Sequence, residues 1–245
     1  MVHHSYAEFV CTGKVIEPSY RRTQEGTPGQ ALGWVMSNGA TWGQAHFQHV
    51  YFLPYQGKNY GPVSQWGVKV MVLGESFYDR EGQGQPPDMA TRLVRDFGIG
   101  YERYAYYTRT AGVSLGRKPT DEEKRAFWHE VIFYSYIQEL VGRSSRIRPA
   151  EAMWDRARLG FQEVVAEYKP QFVLVTGKEL FGKLRHIGRQ GPWVGLEGTQ
   201  RESFSFEHSS GSALAFGIDH PSSWGWSYFD WTPWVRAALE VAKRG

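Results

Sequence analysis

The chain has 245 residues, a formal charge of +3 and a 16% aromatic content. Its single cysteine, Cys11, excludes an internal disulfide and any site built from four cysteines. No apolar run approaches the ~18 residues of a membrane-spanning helix, and the N-terminus lacks the layout of a signal peptide. We therefore expect a cytoplasmic protein without a membrane partner, large enough for one α/β domain.

The charge and the aromatic content bear on the kind of partner. A net charge of +3 permits a nucleic-acid partner without demanding one. Ten Trp and fourteen Tyr are more than a core of this size needs. Some of these rings are therefore expected on a surface that stacks against a flat ligand.

Residues 1–66 show no sustained hydrophobic period and contain one predicted strand, residues 8–11. We interpret them as an N-terminal extension packed on a main domain formed by residues 67–245. A metal site at the histidine pairs is conceivable, but no carboxylate or cysteine pattern completes one, so we expect no metal. The pairs are His3 with His4, and His46 with His49.

The anchor of the main domain is the apolar run 68–73, which ends at Gly74 and is followed by Glu75 and Asp79. A run of this length bounded by turn residues is typical of a strand buried on both faces of a parallel sheet. The Gly-, Gln- and Pro-rich residues 79–87 predict a loop. A short helix over 88–97 should follow, with Asp88 as its N-cap.

Residues 101–109 interleave aromatic and basic side chains, and two interpretations stay open. One is a strand with a wet face; the other is a ridge that stacks bases and contacts phosphates. Thr120 and Glu123 then form a capping box that opens a helix to about residue 130. The β-branched and aromatic run 131–137 favours a strand, although a continued helix is not excluded.

The second half of the chain has the alternating pattern of a parallel α/β sheet. A helix is predicted with Pro149 in its first turn, and it should end before Pro170. A buried strand is predicted at 172–176. It is followed by Gly177 and Lys178 and then by a helix over 179–185. Residues 188–202 are predicted to be a loop, and the last helix is predicted to begin with Thr232 as its cap and Pro233 at its first position.

A second strand of the anchor type, residues 213–218, is followed by Asp219 and His220. Polar groups just beyond the carboxyl ends of parallel strands lie in the crevice where open α/β sheets bind ligands. We therefore expect Glu75, Asp79 and His220 to converge on one mouth.

Three motifs carry a resemblance to a known family: Gly-Glu-Ser-Phe-Tyr at 74–78, Val-Leu-Val-Thr-Gly-Lys at 173–178, and His-Pro-Ser-Ser at 220–223. In this order on alternating strands they resemble the uracil-DNA glycosylase superfamily. More narrowly, they are similar to bacterial uracil-DNA-glycosylase-like proteins with Gly-Glu-Ser-His-Tyr and Asn-Tyr-Val-Gln motifs. The resemblance covers residues 50–242. It implies a three-layer α/β/α sandwich with a central four-stranded, mostly parallel sheet, and hydrolysis of an N-glycosidic bond after base flipping.

The resemblance also assigns roles. His220 matches the histidine that hydrogen-bonds the leaving base, and Trp224 stands where relatives place the wedge that enters the base stack. Glu75, or Asp79, would act on the water, because Ser76 replaces the usual Asp or Asn. The phosphate contacts would come from Ser222 and Ser223, with Lys178 as a second contact.

Ser135 stands where relatives carry an asparagine that reads uracil, and serine cannot make that bidentate contact. Tyr78 retains the aromatic wall, and either Phe133 or Tyr134 is a candidate to stack on the base. Gly74, Ser76 and Phe77 complete the expected base pocket. The small residues suggest a modified or bulkier pyrimidine, such as a hypermodified cytosine of phage DNA in antiviral defence, rather than uracil.

The leading hypothesis is therefore a monomeric, monofunctional DNA glycosylase with DNA as its partner. No cofactor is expected, because neither a Gly-x-Gly-x-x-Gly turn after a strand nor a phosphate-binding Gly-Lys-Ser/Thr loop occurs. The first alternative is a catalytically inactive DNA-binding member of the same fold. The second is a hydrolase acting on another class of substrate, since fold does not fix function.

Overall fold

The computed structural model describes residues 47–61, 64–79, 82, 84–144 and 147–245. The expected strand at 8–11, together with His3, His4 and His46, lies outside these residues. The described residues belong to one compact unit, Phe47–Gly245. Residues 55 and 56, which we had placed in the extension, pair with the central sheet, because Tyr55 lies opposite Phe133.

Within the described residues the central sheet has seven strands in the order β1-β3-β2-β4-β9-β8-β5. Its strands are β1 (Tyr55–Gln56), β2 (Val70–Gly74), β3 (Val131–Ser135), β4 (Phe172–Thr176), β5 (Arg189–Gln190), β8 (Phe204–His208) and β9 (Gly211–Ile218). The remaining two, β6 (Val194–Leu196) and β7 (Thr199–Arg201), form a separate hairpin.

The four central strands, β3, β2, β4 and β9, are parallel. The outer strands β1, β8 and β5 join the sheet in antiparallel pairs. The protein is therefore a mixed α/β protein with a mostly parallel central sheet, as the sequence predicted. The resemblance implied a four-stranded sheet, whereas the described residues form one of seven strands, in which antiparallel strands flank the four parallel ones on both sides.

Helices cover both faces of this sheet. Successive strand residues point to opposite faces, and on each face they pack with helices in a separate apolar cluster. Val70 and Val72 pack in one cluster with residues of α1 (Met89–Leu93), α2 (Ala105–Gly112), α3 (Asp121–Glu130) and α6 (Tyr228–Ala242). Met71 and Leu73 pack in the other with α4 (Glu151–Tyr168) and α5 (Lys178–Leu184). A π-helical segment, Val94–Ile99, continues α1.

Several local predictions are confirmed. Thr120 caps α3 as expected: its hydroxyl accepts from the Glu123 amide at 3.2 Å, and the Glu123 carboxylate accepts from the Thr120 amide at 2.8 Å. The strand at 172–176 has the predicted bounds. The helix predicted to end before Pro170 ends at Tyr168, and Lys169 adopts the left-handed conformation that stops it.

The aromatic and basic stretch 101–109 is not a strand; its second half forms α2. Tyr106, Tyr107, Thr110 and Ala111 are buried together, and this spacing gives one face of a helix. The Thr110 hydroxyl donates to the Tyr106 carbonyl oxygen at 2.7 Å, the back-bond typical of a threonine inside a helix.

Three other boundaries differ from prediction. The last helix begins earlier: Ser227, not Thr232, caps α6 by accepting from the Phe229 amide at 3.1 Å, and Pro233 lies inside it. The Asp88 side chain does not cap α1, because it binds Arg92 at 2.9 Å. The predicted loop at 188–202 contains β5 and the hairpin β6–β7.

Candidate functional site

The carboxyl ends of the four parallel strands meet at one edge of the sheet. From β2 the chain crosses to β3 on one side and then returns to β4 on the other, so the topological switch point lies between β2 and β4. Ligands of open α/β sheets bind in the crevice outside such a point. The segments that follow these strands contain Glu75, Lys178 and His220.

Tyr106 of α2 connects the ends of β2, β4 and β9. Its hydroxyl lies 2.9 Å from the Thr176 hydroxyl, which in turn donates to the Leu73 carbonyl oxygen at 2.8 Å. Because Thr176 has one proton and uses it for Leu73, Tyr106 is the donor to Thr176. The Tyr106 ring also lies 5.2 Å from the His220 ring, tilted by 36°. The acidic turn and the histidine loop therefore share one buried neighbour.

Tyr106 also explains the glycine at the end of β2. A Cβ atom at Gly74 would lie 3.3 Å from the Tyr106 hydroxyl and 3.2 Å from the Phe133 ring. Burial raises the pKa of Tyr106 far above its usual value, so the phenol stays protonated and keeps its hydrogen bond. Sequence reasoning missed this residue, and the helical spacing of its buried neighbours was the signal that could have found it.

His220 lies exposed at the rim of the site, yet nearby protein atoms desolvate its ring. Burial, followed by the positive charge of Arg148, lowers its pKa. The Ser222 amide donates to Nδ1 of His220 at 3.2 Å. The neutral ring therefore carries its proton on Nε2, which makes Nε2–H a hydrogen-bond donor.

Glu75 is the carboxylate closest to the end of β2, with 11% of its side chain exposed. Burial raises its pKa, and Arg148 acts in the opposite direction. The two guanidinium nitrogens of Arg148 lie 3.2 and 3.3 Å from the two carboxylate oxygens of Glu75. Arg148 also forms an ion pair with Glu179 of α5. It therefore fixes the orientation of Glu75, a role that no local sequence pattern indicated.

The remaining residues of the acidic turn contact both their sequence neighbours and distant parts of the chain. The Asp79 carboxylate accepts from the Gly84 amide at 3.2 Å, and the Asp79 amide donates to the Gly142 carbonyl oxygen at 2.9 Å. The Ser76 hydroxyl lies 3.3 Å from the Tyr78 hydroxyl. Phe77 is buried with its ring edge-on to Phe52 and Phe133.

The candidate residues of β3 lie on opposite faces of the sheet, because adjacent side chains of a strand point to alternate faces. Phe133 packs on the same side as Tyr106, whereas Tyr134 is buried on the other side among residues of α4. Ser135 is buried directly opposite Gly74 in the sheet, and its hydroxyl has no partner within the part of the chain described. Of the two stacking candidates, Phe133 is thus the one on the Tyr106 side.

The loop after β9 presents Trp224 with its side chain completely exposed. Arg109 braces this loop, donating to the carbonyl oxygens of Pro221 at 2.8 Å and Ser223 at 3.3 Å. The Ser223 amide donates to the His220 carbonyl oxygen at 2.8 Å. An aromatic tip on a braced loop can enter a stack of bases without first having to become ordered.

The predicted phosphate contacts lie around the same loop. Lys178 forms an ion pair of 3.0 Å with Asp219, and its side chain is 80% exposed. Ser222 has a buried hydroxyl without a partner in the described chain, whereas Ser223 is exposed. Exposed ion pairs contribute little stability, so the Lys178 ammonium is available to an anionic ligand.

Two findings concern metals and membranes. Among the residues that the structure describes, no three His, Cys, Asp or Glu side chains are grouped as a metal site. His49, one of the histidines considered above, instead pairs with Glu163 at 2.5 Å. No helix in the described ranges is long and apolar enough to span a membrane.

No protein-family model matches the chain, and none of the curated proteins compared with it is a match.

Proposed function

We propose that the protein is a DNA glycosylase with the three-layer arrangement of the uracil-DNA glycosylase superfamily. The observation that carries the proposal is the loop after β9. It holds the fully exposed Trp224 four positions from His220, whose lowered pKa keeps a neutral Nε2–H donor at neutral pH. A wedge and a donor for the leaving base are the two parts that excision from a duplex requires.

Base flipping is the first step of the proposed reaction. Trp224 enters the stack in place of the extruded base, and this offsets the few kcal/mol that unstacking and unpairing cost. Ser223 and Lys178 contact the flanking phosphates, whereas Ser222, predicted as a third contact, has a buried hydroxyl and an amide that donates to His220. Arg109 keeps the loop in shape through its two hydrogen bonds to backbone carbonyl oxygens.

Bond cleavage is the second step. The bond between C1′ and the base nitrogen breaks, and its electron pair leaves with the base. The Nε2–H group of His220 donates a hydrogen bond to the base carbonyl oxygen and stabilises the departing anion. The Glu75 carboxylate stabilises the positive sugar and accepts a proton from the water that adds to C1′. Arg148 keeps Glu75 oriented and favours its ionised form.

The target base is proposed from the size of the side chains around the mouth. Ser135 stands where an asparagine reads uracil in relatives, Ser76 stands where they carry the Asp or Asn that acts on the water, and Gly74 adds no side chain. We therefore favour a modified or bulkier pyrimidine, such as a hypermodified cytosine of phage DNA, in a defence role. The proposed enzyme acts in the cytoplasm as a monomer without a cofactor.

A panel of duplexes tests this substrate class. Matched oligonucleotides carrying uracil, hydroxymethylcytosine or glucosylated cytosine are incubated with the enzyme, and abasic sites are measured by alkaline cleavage. We expect abasic sites at a modified cytosine, with uracil a poor substrate. Robust cleavage of uracil alone contradicts the proposed substrate class and leaves the glycosylase activity standing.

The rate of base release should rise with pH and then reach a plateau. The reaction uses ionised Glu75, whose pKa is raised above the ordinary value of 4.5, and neutral His220, whose pKa is lowered below 6.5. Both active forms are the deprotonated ones, so acidification removes activity and neutral pH retains it. Single-turnover rates of base release are measured across pH for the wild type and for Glu75→Gln. In Glu75→Gln the rate should no longer show the fall at acidic pH that comes from protonation of Glu75. A wild-type rate that rises on acidification contradicts these assignments.

A second candidate function is DNA binding without catalysis, and one observation favours it. Arg148 lies within 3.3 Å of both carboxylate oxygens of Glu75, which leaves that group less available to a water molecule. In this alternative the exposed Trp224 still recognises damaged or unstacked DNA, but no base is released. The two functions separate on the effect of substituting His220.

A further inference from the structure

A cavity of about 430 Å³ lies beside the proposed wedge and outside the mouth that contains Glu75. Its walls come from separate parts of the fold, with Lys178 from α5, Arg201 from β7, Trp224 and Trp226 from the loop, and Trp231 from α6. A second cavity of about 230 Å³ shares Lys178, Arg201 and Trp231 with the first. We call these two neighbouring cavities the side groove.

Arg201 is the central cation of the side groove. Its guanidinium lies over the rings of Trp231 and Trp234, at 4.8 and 4.5 Å from their centroids. Within the described chain it forms no ion pair with a carboxylate. A guanidinium stacked on aromatic rings is held in a fixed plane and keeps its in-plane N–H groups for oxygen acceptors such as phosphate.

Trp226 also lines the larger cavity, with its indole nearly buried. The residue is 8% exposed, and its buried Nε1–H has no hydrogen-bond partner in the described part of the chain. Trp224, on the same wall, offers an open aromatic surface.

These groups match the parts of one nucleotide. Lys178 and Arg201 suit the phosphate, and the exposed Trp224 suits a base, whose stacking on an aromatic ring does not depend on sequence. Asp230 lines the same cavity and can accept from an exocyclic amine. The volume lies within the range of roughly 300–1,000 Å³ typical of small-ligand sites.

We infer that the side groove binds the unstacked nucleotide next to the flipped one on the same DNA strand. The inference rests on the proposed function, because it places that nucleotide relative to the Trp224 wedge. Unstacking two neighbouring nucleotides costs less free energy in single-stranded or melted DNA than in an intact duplex. The protein should therefore bind single-stranded DNA more tightly than a fully paired duplex.

The test is the salt dependence of binding to a fluorescent single-stranded oligonucleotide, measured by anisotropy. Arg201→Gln and Lys178→Gln should each weaken binding and reduce the slope of log K against log salt by about 0.7, the effect of one lost phosphate contact on a single strand. The matched control is Arg189→Gln, which removes an exposed arginine of β5 and should leave the slope unchanged.

Arg201→Lys separates binding from a purely structural role of the stacked arginine. It keeps the positive charge and should retain the wild-type salt slope, even if the hairpin β6–β7 becomes less stable. The inference is overturned if Arg201→Gln has the same salt slope as the wild type. It is also overturned if Arg201→Gln and Arg189→Gln change DNA binding equally. A wild-type protein that binds paired duplex more tightly than single strands overturns it as well.

Base release is measured on the same proteins, so that failure of the groove and failure of the proposed function are distinguishable. Binding with the expected slope changes but without base release supports the groove and contradicts catalysis. Base release by the wild type, with Arg201→Gln unchanged in slope, contradicts the groove and leaves the glycosylase standing. Lys178→Gln does not enter this comparison, because Lys178 is also a proposed phosphate contact of the glycosylase.

Discussion

His220→Ala will lower the rate of base release by about 10²- to 10³-fold, the usual effect of removing one donor that stabilises a developing anion. DNA affinity should stay close to that of the wild type, because the ring contacts the leaving base and not the phosphates. Single-turnover release of the base and anisotropy with the same oligonucleotide give the two quantities.

The matched control for this substitution is His186→Ala, which removes an exposed histidine just after α5 and should leave both quantities unchanged. Equal base release by His220→Ala and the wild type would remove the proposed catalytic role. If neither protein releases a base while both bind DNA, the non-catalytic alternative is the better account.

Trp224→Ala will lower excision from a paired duplex by about 10- to 100-fold, because the extruded base is no longer replaced in the stack. The same variant should lose less activity on a single-stranded substrate, since no stack has to be refilled there and only the stacking of the neighbouring base on Trp224 is lost. The Trp224 ring is fully exposed, so the melting temperature should not change. Parallel assays on paired and single-stranded forms of one sequence measure the difference.

Phe229→Ala is the control for Trp224→Ala, because Phe229 is another exposed aromatic residue, 88% accessible, at the start of α6. It should affect neither substrate. A loss that is equal on paired and single-stranded DNA would mean that Trp224 contributes general affinity and does not act as a wedge.

Much of the fold could be predicted because its signals are local. The strands at 70–74 and 172–176 are apolar runs bounded by glycine or proline, and the capping box of α3 needs residues three positions apart. α2 was missed because 101–109 is rich in tyrosine, whose propensity favours a strand. Burial of Tyr106 and Thr110 on one helix face decided the outcome.

The candidate site was predicted less completely, because its supporting residues are distant in sequence. Arg148 lies 73 positions from Glu75, and Arg109 lies 112 positions from Pro221. Such pairs leave no periodic pattern in a single sequence. The position of Tyr134 was within reach, since strand alternation alone places it on the opposite face from Phe133.

The central claim is hydrolysis of an N-glycosidic bond, and mass spectrometry of the complete reaction mixture tests it most directly. With DNA that contains the preferred modified pyrimidine, we expect one free base for each abasic site and an intact phosphodiester backbone. No free base from any member of the panel, at enzyme concentrations that saturate DNA binding, would contradict the account.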